Sequence, residues 1–435
     1  MERVMTSEYS GTASSSTEKI ASTEKSVSAE KKKEPWLSIV GIGEDGLEGL
    51  GKNALRAIEA ADVVFGGKRH LELAAAAIQG DARAWPVPFD VEMSDVLSLR
   101  GCRVCVLASG DPFFYGVGVT LLRRIPSEET VCYPSPSAFS LAAARLGWAL
   151  QSAACVSLHG RSIDLLRPHL HPGARIIALT SDERDPALIA GLLAESGFGR
   201  SEFILLEALG GAREKRRQAR AAGFAFEDID PLNVVAIDVV ADEDARVLPF
   251  THGLDDSLFE HDGQITKREI RAVTLSSLAP RRGELLWDIG AGSGSIGIEW
   301  MLSHPSLRAI AIEQHPERAE RITRNADAFG VPGLEVMIGV APAAFEGLPA
   351  PDAIFIGGGG SEAGVFEAAM EALKPGGRLV ANAVTLEMEA VLLAAHARLG
   401  GSMIRLEMSR VAAVGSMSGW RPAMPVTQWS WVKPW

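Results

Sequence analysis

Leu285-Leu286-Trp287-Asp288-Ile289-Gly290-Ala291-Gly292-Ser293-Gly294-Ser295-Ile296-Gly297 is the stretch on which the fold turns. An apolar run ends near an acid, opens into alternating glycines and continues into residues that can start a helix. That order predicts a buried strand, a tight turn and a helix N-terminus. The turn lacks side chains where a nucleotide-like ligand would lie against backbone. Glu313 closes the next apolar run, Arg308 to Ile312, about 20 residues beyond the glycines, as expected of a ribose-binding carboxylate. Together these features predict a site for a ligand carrying an adenosine. Gly292 to Gly297 also spells G-x-G-x-x-G, so a nicotinamide dinucleotide and a sulfonium nucleoside both stay open at this point.

Working outward, Leu285 to Asp288, Ala309 to Glu313, Leu334 to Ile338, Ala353 to Ile356 and Arg378 to Ala381 read as strands of a doubly wound sheet. Val426 to Val432 reads as an edge strand, with Pro425 confined to its start. Upstream, residues 241 to 262 turn acidic and irregular, which places a domain boundary there. Earlier still, short apolar runs at 36–40, 62–65, 104–108, 154–158, 175–179, 203–207 and 234–239 alternate with helical stretches. This implies an α/β domain over 35–245, in two lobes split near 150, followed by a second domain over 250–435. Residues 1–34 are rich in Ser, Thr, Glu and Lys and are expected to be a disordered polar tail.

At 435 residues the chain exceeds what one core fills. Its 47% hydrophobic and 23% charged residues are ordinary for a soluble globular protein. The net charge of −12 and the lack of a domain-wide basic stripe argue against a nucleic-acid binder, while leaving room for an anionic small substrate. No stretch has the uninterrupted apolar length of a membrane span and no apolar h-region opens the chain, so a cytoplasmic protein is expected. Cys102 and Cys105 form a C-x-x-C, but residues three apart on a strand point to opposite faces and make a poor metal clip. His159, His252, His261 and His315 show no ligand spacing, so no metal is expected.

Gly41-Ile42-Gly43-Glu44-Asp45-Gly46 follows the first strand and matches G-x-G-x-x-G; a ligand contact and a plain strand-to-helix turn explain it about equally. Gly46, Gly51 and Lys52 nearly complete a phosphate loop, but Asn53 replaces the hydroxyl that would hold magnesium, which rejects a nucleoside triphosphatase. More specific is Ala108-Ser109-Gly110-Asp111-Pro112-Phe113-Phe114-Tyr115-Gly116-Val117-Gly118, a turn that exposes backbone at a strand's carboxyl end. With Pro134 to Ser140, Val40 to Gly43 and Leu158 to Arg161, it resembles the tetrapyrrole methylase family, in its precorrin C5-methylating branch, over residues 36–240. The resemblance implies a two-lobed fold with S-adenosylmethionine between the lobes, at Gly110 and Asp111, with Ser137 and Ala138 as further candidates.

In the second domain, Asp288-x-Gly290-x-Gly292-x-Gly294 resembles motif I of class I S-adenosylmethionine-dependent methyltransferases. Asp288 before the glycines, the Leu373-Lys374-Pro375-Gly376-Gly377 turn and the lack of a hydride-acceptor dyad favour that cofactor over a dinucleotide. Asp262 to Ala272, including Thr266, resembles the opening signature of the C15-methylating, decarboxylating precorrin enzymes. The resemblance implies cofactor contacts at Thr266, Gly290, Ala291, Gly292, Ser293, Gly294, Glu313 and Ala341. It places a glycine-rich loop at Gly357 to Gly360, where Gly357 and Gly358 would let a flat macrocycle approach. Val340 stands where the family usually has an acid.

The expected fold class is therefore α/β: an N-terminal two-lobed tetrapyrrole methylase fold followed by a C-terminal Rossmann-like doubly wound class I methyltransferase domain. The expected function is methylation of a precorrin-6 type tetrapyrrole at C5 and C15 with loss of the C12 acetate carboxyl. Alternatives are a methyltransferase of another substrate that uses the N-terminal half as a binding module, and an NAD(P)-dependent oxidoreductase. Lys267, Arg268 and Arg271 read as substrate-carboxylate clamps or surface charges. Arg213, Lys215, Arg216, Arg217 and Arg220 read equally as carboxylate ligands or as the solvated face of a helix. Glu299 and His261 are weak candidates for a proton donor, with an ordinary structural role the commoner reading of each. The expected partners are the anionic tetrapyrrole and further copies of the chain.

Overall fold

Five parallel strands open the computed structural model, which describes residues 35–435; the expected disordered tail, 1–34, lies outside the described residues. They are β1 (Leu37–Ile42), β2 (Val63–Gly66), β3 (Asp81–Ala84), β4 (Val104–Ser109) and β5 (Thr130–Tyr133), in the spatial order β3-β2-β4-β1-β5. Strands β1, β2 and β4 are apolar almost throughout because both faces of the sheet are covered. Cys105 lies buried inside β4 and Cys102 is exposed in the turn before it, so the C-x-x-C is not a clip.

A second, mixed sheet follows: β6 (Ala153–Ser157), β7 (Arg175–Leu179), β8 (Glu202–Glu207), β9 (Lys215–Arg220) and β10 (Asn233–Asp238), ordered β6-β7-β10-β8-β9. The basic run is thus a strand, not a helix. Its charges sit on a sheet edge, where they discourage pairing with another chain.

After a linker without regular strands, the third sheet comprises β11 (Leu285–Ile289), β12 (Arg308–Glu313), β13 (Glu335–Ile338), β14 (Ala353–Ile356), β15 (Arg378–Ala383), β16 (Ser402–Leu406) and, later, β19 (Val426–Val432). Its order is β13-β12-β11-β14-β15-β19-β16, parallel through β15, with β19 antiparallel to both neighbours. This corrects the edge assignment for 426–432. The edge belongs to β16, and Trp429 of β19 is fully buried beside Phe366. Between them, β17 (Ser409–Val414) and β18 (Met417–Pro422) form a separate hairpin around Gly415-Ser416.

The second lobe and the last domain touch. Gly330 has a φ of +73°, and a Cβ there would lie 2.3 Å from Pro168 Cδ. The Arg246 guanidinium sits 4.7 Å over the Phe329 ring.

Candidate active sites

In the third sheet, β11, β12 and β14 run parallel and end together, which sets three loops side by side. The turn after β11 has positive φ at Gly290 (+70°), Gly292 (+60°) and Gly294 (+76°). A Cβ at Gly290 would fall 2.6 Å from the Gly358 carbonyl oxygen, so this turn and the Gly357–Gly360 loop meet backbone to backbone. The Gln264 carbonyl is 3.4 Å from where a Gly292 Cβ would stand, which brings the segment leading to Thr266 over the turn. Glu313, 4% exposed, accepts hydrogen bonds from Gly292 N (2.9 Å) and His315 N (3.0 Å), and its own carbonyl accepts from Gly339 N. Ala341 packs beside the same sheet. The structure therefore gathers Thr266, Gly290, Ala291, Gly292, Ser293, Gly294, Glu313, Ala341, Gly357 and Gly358 at one end of the sheet.

Asp288 is fully buried there. Its Oδ2 accepts from Gly297 N at 3.0 Å, while among the described residues Oδ1 has no partner and the buried Ser293 hydroxyl has none either. Burial, with the Glu313 charge adding to it, pushes the Asp288 carboxyl up to about 7. An orphaned carboxylate oxygen beside a side-chain-free turn is suited to a cationic ligand group.

Glu299 has a different task. Its carboxylate accepts from Gly253 N (2.7 Å), Leu254 N (3.0 Å) and Arg271 Nε (2.5 Å), all buried. Arg271, 0% exposed, also donates to the Leu254 and Thr266 carbonyls and lies 4.8 Å from the Phe259 ring centre. Neither residue is free to move a proton or meet a substrate, so we assign the pair to holding the linker and Thr266 in place. His261 is exposed and accepts from Gly263 N in its own turn. Arg268 is exposed and pairs with Asp255 at 3.4 Å, whereas Lys267 stands at the start of the helix Arg268–Leu278.

In the first sheet, β1 and β4 end side by side. Gly110 has a φ of +54°, and a Cβ at Gly41 would lie 1.8 Å from its carbonyl oxygen. Ser135 N donates to Gly110 O (3.1 Å) and Ser135 Oγ to Gly41 O (2.7 Å). Ser137 caps the helix Ala138–Leu146 through Ser140 N. The Gly110-Asp111 turn and the Ser137-Ala138 turn are thus brought together, and Phe113, Phe114 and Tyr115 are exposed beside them.

A polar cluster that sequence reading missed lines the same end. Arg69 pairs with Glu44, which lies 3.5 Å from Arg213 of the second lobe; Arg213 also pairs with Asp230. His70 Nε2 lies 2.8 Å from Ser109 Oγ, and burial, with the Arg69 charge, lowers the imidazole to about 4. The available signal was Lys68-Arg69-His70 directly after the carboxyl end of β2. Of the basic run, Arg217 makes a two-pronged pair with fully buried Glu207 (2.8 and 2.9 Å) and lies over Phe226, a structural engagement.

Residues 37–225 match the family model described as Tetrapyrrole (Corrin/Porphyrin) Methylases, and residues 257–433 match the one described as Precorrin methyltransferase domain. The chain is similar to the precorrin-6Y C(5,15)-methyltransferase [decarboxylating] of Sinorhizobium sp, with 65% identity over 399 residues, 92% of this chain and 97% of the relative. It is 42% identical over 400 residues to the protein of the same name from Mycobacterium tuberculosis, covering 91% and 99%. A cobalt-precorrin-6B C(15)-methyltransferase (decarboxylating) of Salmonella typhimurium is 35% identical over 166 residues, 37% of this chain and 85% of the relative.

Proposed function

The chain belongs to the precorrin-6Y C5,15-methyltransferase (decarboxylating) family, and from that premise we propose that its two halves hold separate methyl-transfer sites. It is a methyltransferase of cobalamin biosynthesis that uses S-adenosylmethionine. Residues 35–245 carry the C5 transfer, and residues 250–435 carry the C15 transfer with loss of the C12 acetate carboxyl. The observation that supports this division is that one chain holds two glycine-lined turns, each at the carboxyl ends of a parallel sheet.

S-Adenosylmethionine, when bound, supplies a methyl group on a positively charged sulfur. At the C-terminal site the turn Gly290 to Gly294 leaves the needed space and Asp288 Oδ1 lacks a partner among the described residues, so the residues fit a ligand with cationic groups. Thr266, Glu313 and Ala341 would complete that site. At the N-terminal site Gly110, Asp111, Ser137 and Ala138 would line it. Neither site needs a covalent nucleophile: an electron-rich meso carbon attacks in line, so holding the two reactants is the main task. Glycines 357 and 358 leave the macrocycle a close approach, and Lys267 and Arg268 would meet its carboxylates. The macrocycle itself is the electron sink for decarboxylation.

The full chain, incubated with a precorrin-6Y substrate and isotopically labelled donor, is expected to transfer two methyls and release one carbon dioxide per turnover. Labelling at a single carbon, or none, would sink the two-site reading.

Asp288 gives a pH signature. Its folded pKa of about 7 lies above that of an ordinary aspartate, so the folded state holds a proton that the unfolded state releases between those values. Its stabilising contribution is complete below the lower value and is lost as pH rises through the upper one. Unfolding of the last domain at pH 5 and pH 8 should show this loss, and Asp288→Asn should flatten it. Donor binding near pH 7 should release a proton, read by calorimetry in buffers of different ionisation heat.

We place the protein in the cytoplasm, which the four free cysteines support. Among the described residues no helix is long and apolar enough to cross a membrane. We assign the expected self-association to the β17–β18 hairpin, which exposes Val411, Val414, Met417 and Trp420. Val411→Ser with Trp420→Ser should lower the mass seen by light scattering; an unchanged mass would remove the hairpin from the interface.

A further inference from the structure

Ser109, the last residue of β4, is exposed one residue before the Gly110-Asp111 turn. Its Oγ lies 2.8 Å from His70 Nε2, and each of those two atoms lies 3.1 Å from Arg69 Nη2. An arginine only donates, so His70 Nε2 presents a lone pair and the ring proton sits on Nδ1. Nδ1 is buried with no hydrogen-bond partner among the described residues, so the ring is oriented by its Nε2 contacts alone. The charged groups around the ring are Arg69, which touches it, and Glu44, which holds Arg69 from the far side and also faces Arg213.

We propose that Ser109 and His70 form the proton-accepting pair of the N-terminal methyl-transfer site, an inference that rests on the reading of residues 35–245 above. A meso methine carbon carries one hydrogen. As the new carbon–carbon bond forms from the enamine π pair, the methyl–sulfur bond breaks with its pair left on sulfur, and an iminium cation remains in the macrocycle. The carbon–hydrogen bond then returns its pair to the ring system and neutralises the iminium, and the hydrogen leaves as a proton. Ser109 Oγ receives it while its own proton passes to His70 Nε2, and the resulting imidazolium discharges to solvent. The low proton affinity of His70 in the free protein keeps Nε2 vacant at neutral pH. Arg69, already shared with Glu44, frees that nitrogen further when a substrate carboxylate draws it away.

Two readouts on the full chain test this. Nitrogen NMR with labelled histidine should show His70 neutral at pH 7 with Nε2 unprotonated; an imidazolium, or a proton on Nε2, overturns the proposal. Ser109→Ala and His70→Asn should each lower kcat for C5 methylation by about 10²-fold to 10⁴-fold with KM little moved, the double variant should fall no further, and Ser109→Thr should recover most of the rate. Wild-type rates in the alanine variant, or an effect confined to KM, overturn it as well. No C5 methylation by the wild type sinks the reading of the N-terminal half instead, and the nitrogen spectrum still decides the state of the pair.

Discussion

Arg271→Met is expected to cost the last domain about 3–5 kcal/mol. The reason is what stays behind. Glu299 is 2% exposed and keeps two backbone donors, Gly253 N and Leu254 N, but loses the one cation that pairs with its carboxylate among the described residues. The carbonyls of Leu254 and Thr266 lose their donor at the same time. Pairing the change with Glu299→Gln should restore part of the loss, since an amide oxygen still accepts from Gly253 or Leu254 and no charge is stranded. Denaturant unfolding followed by tryptophan fluorescence, with Trp287 and Trp300 buried in this domain, reads the effect. A loss under about 1 kcal/mol, the scale of an exposed ion pair, would show that the pair is not the buried anchor described.

Gly290→Ala is expected to silence the C-terminal half. A left-handed backbone costs an alanine about 1–2 kcal/mol, and the added Cβ would meet Gly358 backbone atoms at 2.6 to 2.8 Å. Backbone cannot rotate aside as a side chain does, so the two glycine loops must part. Displacement of that order lowers a position-dependent rate by about 10²-fold. Release of carbon dioxide and the methyl at C15 should therefore fall together, while the methyl at C5 is still transferred by the other half. Product masses separate these outcomes, and equal loss of both methyls would contradict two independent sites.

Much of this was legible in the sequence. The strands around Asp288, Glu313 and Gly357 were plain because both faces of the parallel sheet are covered, leaving continuous apolar runs. Glycine spacing marks the turn itself, since glycine takes the positive φ found at Gly290 and Gly294 without the steric cost other residues meet. What sequence hid is of two kinds. Pairings between distant residues leave no local trace: Arg271 meets Glu299 28 positions away, and His70 meets Ser109 39 away. Half-exposed strands lack the buried pattern: β9 reads as a basic helix, and β16 shows no apolar run. Without β16, nothing distinguished β19 from an edge strand. In sequence Glu299 shows only its place on the helix after the glycine turn; the three donors converging on it come from distant segments.

The place of β19 also orders assembly. It pairs with β15 on one side and β16 on the other, yet it follows both in the chain. On a ribosome, β16 thus emerges with no partner strand and must wait, exposed, until residues 426–432 arrive. The first two sheets have all their strands before residue 240 and can close while the rest is being made. A growing chain would consequently carry a finished N-terminal half tethered to an incomplete one. The vulnerable interval for misassembly opens when β16 emerges and closes only once residues 426–432 can pair with it.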